Sequence, residues 1–323
     1  MKENIHNKPP LIVLTGPTAV GKTKLSIALA QAVGGEIISA DSMQVYQRMD
    51  IGSAKITKQE MQGVRHHLID VLEPWEEFNV VVFQKLCKEC LKDIYERGRI
   101  PILTGGTGFY IQAVLRDIDF TENKDNSEYR FQLEELAKEK GAQYLHEMLR
   151  QVDAVSAQAI HANNVKRMIR ALEYYQLTGE RISEHNGKEK QKVSAYNSCY
   201  FVLNDNRERL YHQIDLRVDQ MLERGLVEEV QGLQALGMQK NMVSMQGLGY
   251  KEILSYLQGE ISYEEAVYLI KRDTRHFAKR QLTWFRREAD VIWIDKEQYE
   301  YEEERILAFM LSILKEKHIL ENT

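Results

Sequence analysis

Eight residues near the amino terminus, Gly16-Pro17-Thr18-Ala19-Val20-Gly21-Lys22-Thr23, satisfy the pattern G-x-x-x-x-G-K-[ST] in full. The glycines allow a tight loop whose successive backbone N–H groups, with the start of the following helix, cradle an anion. Lys22 adds a point charge, and Thr23 a hydroxyl for Mg2+. The expected ligand carries a diphosphate. ATP and an isoprenoid diphosphate offer such a loop similar oxygens, so the motif leaves the choice open. A second chemical residue, Asp41, lies in EIISADSMQVY at the carboxyl end of a strand, the edge where open parallel sheets bind ligands. Two readings stand for it. Its carboxylate can serve Mg2+ through water or take a proton from an attacking nucleophile, or it can simply cap a helix.

These residues need a scaffold, and the surrounding pattern supplies one. Leu11 to Leu14 reads as a buried strand before the loop, and Leu25, Ala28, Leu29 and Ala32 mark an apolar-periodic helix after it. From Pro10 to about Asp117, the runs LIVLTG, EIISADS, HHLIDV and IPILTGG alternate with helical stretches, the βαβ signature of an α/β fold. From Ile118 to Tyr196 no strand is evident. EYRFQLEELAKEKG, AQYLHEMLRQVD and NNVKRMIRALEYYQLTG predict three amphipathic helices, followed by HNGKEKQK as a loop. SCYFVLND then restores a strand, LRVDQMLERGLVEEVQGLQALG predicts one long helix stopped by Gly237, VIWID a last strand, and residues 305–320 a final helix. The expected architecture is a P-loop NTPase-like parallel sheet flanked by helices. It is discontinuous, residues 1–118 with 197–323, and carries an inserted all-helical domain at 119–196.

Charge narrows the partners. The 43 Lys+Arg and 48 Asp+Glu leave a formal charge of -5, which alone argues against nucleic acid. Lys271 to Arg287 nevertheless carries +6, so the remainder carries -11. On a helix Arg272, Arg275, Lys279, Thr283 and Arg286 share a face. That face suits phosphates through counterion release, although a solvated helix surface is the usual reason for such a run. Apolar runs such as Val80 to Phe83 are far shorter than the roughly 20 residues of a membrane span. The polar opening MKENIHNKPP and three cysteines predict a cytoplasmic location; no heptad seam suggests a coiled-coil dimer, and a monomer is expected. Cys87 and Cys90 form C-x-x-C inside a predicted helix with no second pair, so neither metal nor redox chemistry is expected there.

Several segments together resemble the tRNA dimethylallyltransferases, also called tRNA isopentenyltransferases. They are GPTAVGKT at Gly16, ADSMQVYQRMDIGSAK from Ala40, GVRHHLIDVLEP from Gly63, GGTGFY from Gly105, KRMIRALE from Lys166, MQGLGYKE from Met245 and AKRQLTWFRR from Ala278. The zinc finger of eukaryotic members has no counterpart in Cys87, Cys90 and Cys199. The resemblance implies transfer of a dimethylallyl group from its diphosphate to the exocyclic amine of the adenosine next to the tRNA anticodon. It also implies an insertion that grips the anticodon arm.

Adenine's amine is a weak nucleophile, so the chemistry asks for leaving-group stabilisation by Lys22, Mg2+ and loop N–H groups, and for a base. Asp41 is the natural candidate. Thr107 matches an adenosine-side threonine, the bland alternative being a strand-to-helix turn. Arg217 matches a position facing the departing diphosphate, with a surface ion pair as its alternative. Since the target base must leave the anticodon stack, Ser42, Met43 and Gln44 are placed against the extruded adenine. Lys166, Arg167 and Arg170 on the insertion, Gly247, Tyr250 and Lys251, and Lys279, Arg280, Gln281, Thr283, Trp284 and Arg286 complete the expected tRNA contacts. For Tyr250, stacking on a base and an interior position both remain open. Competing classes are a small-molecule or nucleotide kinase, an isopentenyltransferase acting on free adenine nucleotides, and an RNA binder without group transfer.

Overall fold

The computed structural model describes residues 8–120 and 127–320. By internal contacts it divides into two compact units, residues 1–115 with 194–323, and residues 116–193. In the first, β1 (Pro10–Thr15), α1 (Lys22–Val33), β2 (Gly35–Ser39), the two-residue β3 (His66–His67), α2 (Val80–Glu96), β4 (Ile100–Gly105) and α3 (Gly108–Leu115) follow in order. The second holds α4 (Ser127–Lys140), α5 (Ala142–Val152), α6 (Ala154–Ala159), α7 (Val165–Thr178) and α8 (Ile182–Gln191). The chain then returns to the first unit with β5 (Asn197–Asn204), α9 (Arg207–Glu223), α10 (Leu226–Ala235), α11 (Tyr250–Leu257), α12 (Tyr263–Phe285), β6 (Val291–Asp295) and α13 (Glu303–Glu316).

The six strands form one parallel sheet in the order β3-β2-β4-β1-β5-β6. Leu11, Ile12, Val13 and Leu14 are all fully buried because both faces of the sheet are covered. Alternation sorts them. Leu11 and Val13 join Ile38, Leu103 and Val202 in one core, whereas Ile12 and Leu14 join Ile37, Ile102 and Phe201 in the other. From β1 the chain goes to one side for β2, β3 and β4, and to the other for β5 and β6. The switch point therefore falls where the Gly16 loop leaves β1.

Side-chain ties fix the edges. Glu36 on β2 accepts from Arg97 at 3.0 and 2.8 Å and bonds His67 Nε2 at 2.7 Å, so the short edge strand is pinned by charge as well as by its ladder. Burial pushes the Glu36 carboxyl up, but bonds from Arg97 and His67 outweigh it and hold the group at about 2. In the second unit, Leu133, Leu145, Leu149, Met168 and Leu172 form a separate core. There buried Asp153 accepts from Ser156 Oγ and Ser183 Oγ, both at 2.7 Å, joining α6 to α8.

Three local expectations need correction. The predicted HNGKEKQK loop lies within α8, which Asp153 anchors through Ser183 despite its polar composition. The predicted long helix of residues 216–237 is broken at Gly225, whose φ of 96° an L-residue adopts only with strain. The final helix starts and ends earlier than expected, at Glu303 and Glu316. No helix is long and apolar enough to cross a membrane among the described residues.

Candidate active site

Three loops leave adjacent central strands at the carboxyl edge of the sheet: residues 16–21 after β1, Asp41 two positions beyond β2, and Thr107 two beyond β4. Backbone bonds bind the latter two together. Ala40 N–H donates to the Thr104 carbonyl at 2.7 Å, and Thr107 N–H to the Ala40 carbonyl at 3.4 Å. Asp41 Oδ1 accepts from the N–H groups of Met43 and Gln44 at 2.8 and 3.4 Å. The aspartate thus caps a turn rather than a helix, and this capping uses one carboxylate oxygen. Thr23 is exposed at the start of α1.

Lys22 Nζ donates to the carbonyls of Gly16 and Pro17 at 3.1 and 2.8 Å. Burial and the Arg217 charge lower its pKa to about 7, and Asp41 partly opposes them. Arg217 on α9 is likewise depressed by burial and supported by Asp41. Two cations and a carboxylate, from three separate parts of the chain, therefore share one electrostatic field. Such a field favours a polyanion.

The RNA-facing expectations divide sharply. Tyr250 is fully buried and its hydroxyl donates to Glu229 at 2.8 Å, so it is an interior residue and not a base-stacking platform. Gln44 accepts from Ser39 Oγ at 3.0 Å and donates to the Ser53 carbonyl at 3.4 Å, which occupies the amide assigned to adenine. Gly247 is buried against the Met43 side chain. Gln281 is 5% exposed, and both ends of its amide are bonded within the chain. Tyr250 therefore takes the interior one of its two expected places, and Gln44, Gly247 and Gln281 are held by contacts within the chain. Ser42 and Met43 stay partly accessible, and Lys251 forms an ion pair with Glu252 at 3.2 Å.

On α12 the basic stripe is only partly available. Lys271 pairs with Asp219 at 2.6 Å, Arg275 with Asp215 at 2.6 Å, and Arg272 with Asp273 at 2.8 Å. Exposed Lys279, Arg280, Arg286 and Arg287 form no ion pair among the described residues. A cavity of about 460 Å³ is lined by His276, Lys279, Arg280, Thr283, Trp284 and Arg287. In the second unit, Lys166 and Arg167 are exposed and Arg170 is half-buried on α7.

The sequence profile described as IPP transferase matches residues 44–288, and that described as isopentenyl transferase matches residues 9–73. A tRNA dimethylallyltransferase of Lachnoclostridium phytofermentans is 62% identical over 312 residues, 97% of this chain and 99% of that protein. The chain belongs to the tRNA dimethylallyltransferase family. Among solved structures, a tRNA isopentenylpyrophosphate transferase of Bacillus halodurans is similar with a TM-score of 0.72 and 45% identity, covering 97% of this chain and 99% of its own. A eukaryotic dimethylallyltransferase acting on tRNA is similar with a TM-score of 0.78 and 31% identity, over 89% of this chain and 74% of that one.

Two residues of this dimethylallyltransferase family member carry site geometry without having stood out in sequence. Lys296, directly after β6, donates to the Val20 carbonyl at 3.1 Å and so braces the Gly16 loop. Its place after a last buried strand was the available signal. Glu229 on α10 accepts from the backbone of Asp50, Ile51 and Gly52 at 2.8, 2.7 and 3.1 Å, fixing the segment that follows the Asp41 turn. No local pattern marks it, because its partners lie far away in sequence.

Proposed function

We propose that the chain transfers the dimethylallyl group of dimethylallyl diphosphate to the exocyclic amine of the adenosine beside a tRNA anticodon, releasing diphosphate. It does so as a cytoplasmic monomer. The observation that carries this reading is the convergence of the Gly16 loop, the Asp41 turn and Thr107 at one edge of the sheet, with Lys22 folded onto that loop. The donor's C–O bond breaks with its electron pair going to the diphosphate, which the two cations and loop N–H groups stabilise. The adenine nitrogen forms the new C–N bond, and its proton passes to the Asp41 oxygen left over from turn capping. The second carboxylate oxygen makes this possible without dismantling the turn.

The donor set suits Mg2+. Among the described residues no three His, Cys, Asp or Glu side chains are grouped as a metal cluster, but Mg2+ takes much of its coordination from substrate phosphates and water. Thr23 would hold it. When bound, it would neutralise charge on the diphosphate. Lys279, Arg280 and Arg287 around the α12 cavity, together with Lys166, Arg167 and Arg170, supply phosphate contacts for the anticodon stem-loop.

Incubation with labelled dimethylallyl diphosphate, Mg2+ and unmodified tRNA, with parallel arms containing labelled ATP and free adenosine monophosphate, tests this reading. Label is expected in tRNA alone. ATP turnover without transfer points instead to a kinase, and label in the free nucleotide to the small-acceptor enzyme. Asp41→Asn should bind tRNA but lose about 100- to 10,000-fold in single-turnover transfer, the usual worth of a positioned base. Transfer at the wild-type rate would remove Asp41 from that role.

A further inference from the structure

We propose that Gln281 is a positioning residue that sets the spacing between the diphosphate loop and the acceptor-side loop. A long amide buried on α12 is costly unless both ends are satisfied. Here Oε1 accepts from Thr18 N–H at 2.8 Å, and Nε2 donates to the Gly106 carbonyl at 2.9 Å. Thr18 is the third residue of the Gly16 loop, and Gly106 immediately precedes Thr107. Their strands are neighbours whose ladder ends at the pair Thr15 and Gly105. Gln281 carries the connection beyond that end, where donor and acceptor must meet. This inference rests on the function proposed above.

The glycines opposite α12 agree with this role. A Cβ at Gly106 would collide with Gln281 Nε2, and one at Gly108 with the Trp284 indole, three residues further along the same helix. Part of the glycine content of GGTGFY is therefore the space that α12 needs. The chemistry also explains the residue type. One acceptor and one donor are required at fixed separation, which a carboxylate or an ammonium cannot provide. Glutamate would keep the bond to Thr18 but turn an oxygen towards the Gly106 carbonyl. Methionine fills the volume and loses both bonds.

The test uses the full-length enzyme with Gln281→Met and Gln281→Glu, measuring melting, kcat and KM for dimethylallyl diphosphate and tRNA. Misplacing reacting groups by about 1 Å costs on the order of 100-fold, so kcat should fall about 10- to 100-fold. Both KM values should stay within about threefold, because neither substrate loses a direct contact. Retained kcat overturns the proposal. So does a tRNA KM raised about tenfold with kcat intact, the pattern of a direct tRNA contact.

Gly106→Ala should give the same kcat-selective loss by pushing from the opposite side. Combining Gly106→Ala with Gln281→Ala relieves the clash, so the double variant should be no worse than Gln281→Ala alone; additive losses overturn the shared mechanism. Exchange of the Thr18 amide gives a readout independent of turnover. It should accelerate about tenfold in Gln281→Met, since the protecting acceptor is gone. If the wild type fails to modify tRNA, the functional reading fails by itself, and unchanged Thr18 exchange would separately refute the bridge.

Discussion

Lys22 is poised to change charge in the working range of pH. Burial and Arg217 bring its pKa down to about 7 in the free enzyme, despite the opposing pull of Asp41. In the proposed reaction the protonated form holds the diphosphate, and kcat/KM reports ionisations of the free enzyme. Accordingly, kcat/KM for dimethylallyl diphosphate should decline as pH rises through about 7. Arg217→Leu removes a like charge, so the alkaline limb should move to higher pH even while the whole profile drops for want of a cation. A pH profile whose alkaline limb stays in place after that substitution would show that Arg217 does not set the Lys22 proton affinity. Residues of this kind were legible because loop motifs keep their members adjacent. The bonds that hold Gln44 and Gln281 were not, and for Tyr250 an interior place was only one of two readings, because the partners that satisfy a buried polar side chain are set by tertiary contact.

At the scale of elements, five of the six strands declared themselves through apolar runs, whereas only His66–His67 of the expected HHLIDV strand pair, and helix limits depended on partners. The break at Gly225 was hidden by uninterrupted amphipathic spacing across residues 216–237, while α8 was hidden by polarity that only Asp153 explains. The edge strand β3 is two residues long and owes much of its position to Glu36. This gives a measurable pH dependence. Because the folded carboxyl lies at about 2 against an ordinary 4.5, its contribution is present above pH 4.5 and disappears as pH falls towards 2. The shift corresponds to about 3 kcal/mol. Glu36→Gln should therefore lower unfolding stability by about that amount at neutral pH and erase this part of the acid limb. Equal stability of variant and wild type in denaturant titrations at pH 7 would show that Arg97 and His67 contribute nothing net through it.

For the molecule as a whole, a charge of -5 concealed a basic helix, and the structure narrows that helix further. Acidic residues on α9 and on α12 itself occupy Lys271, Arg272 and Arg275, leaving the cations around residues 279–287 for an external anion. The second set of cations belongs to a unit with its own core, residues 116–193. Where that unit departs and returns, Ala195 N–H donates to the Leu115 carbonyl at 2.8 Å, so the first unit closes its own chain path. Replacing residues 116–193 by a short Gly/Ser link spans almost no distance and adds little loop entropy. The shortened protein should still melt cooperatively and bind dimethylallyl diphosphate within about threefold, since the Gly16 loop keeps its partners. Its tRNA affinity should weaken at least about tenfold with a shallower salt dependence, as phosphate contacts are lost. Replacing Lys166, Arg167 and Arg170 together by alanine should reduce that salt slope in the same direction while leaving the α7 core residues in place. Parallel loss of diphosphate and tRNA binding in the triple variant would refute the division of labour, because none of the three side chains belongs to the unit that holds the diphosphate loop.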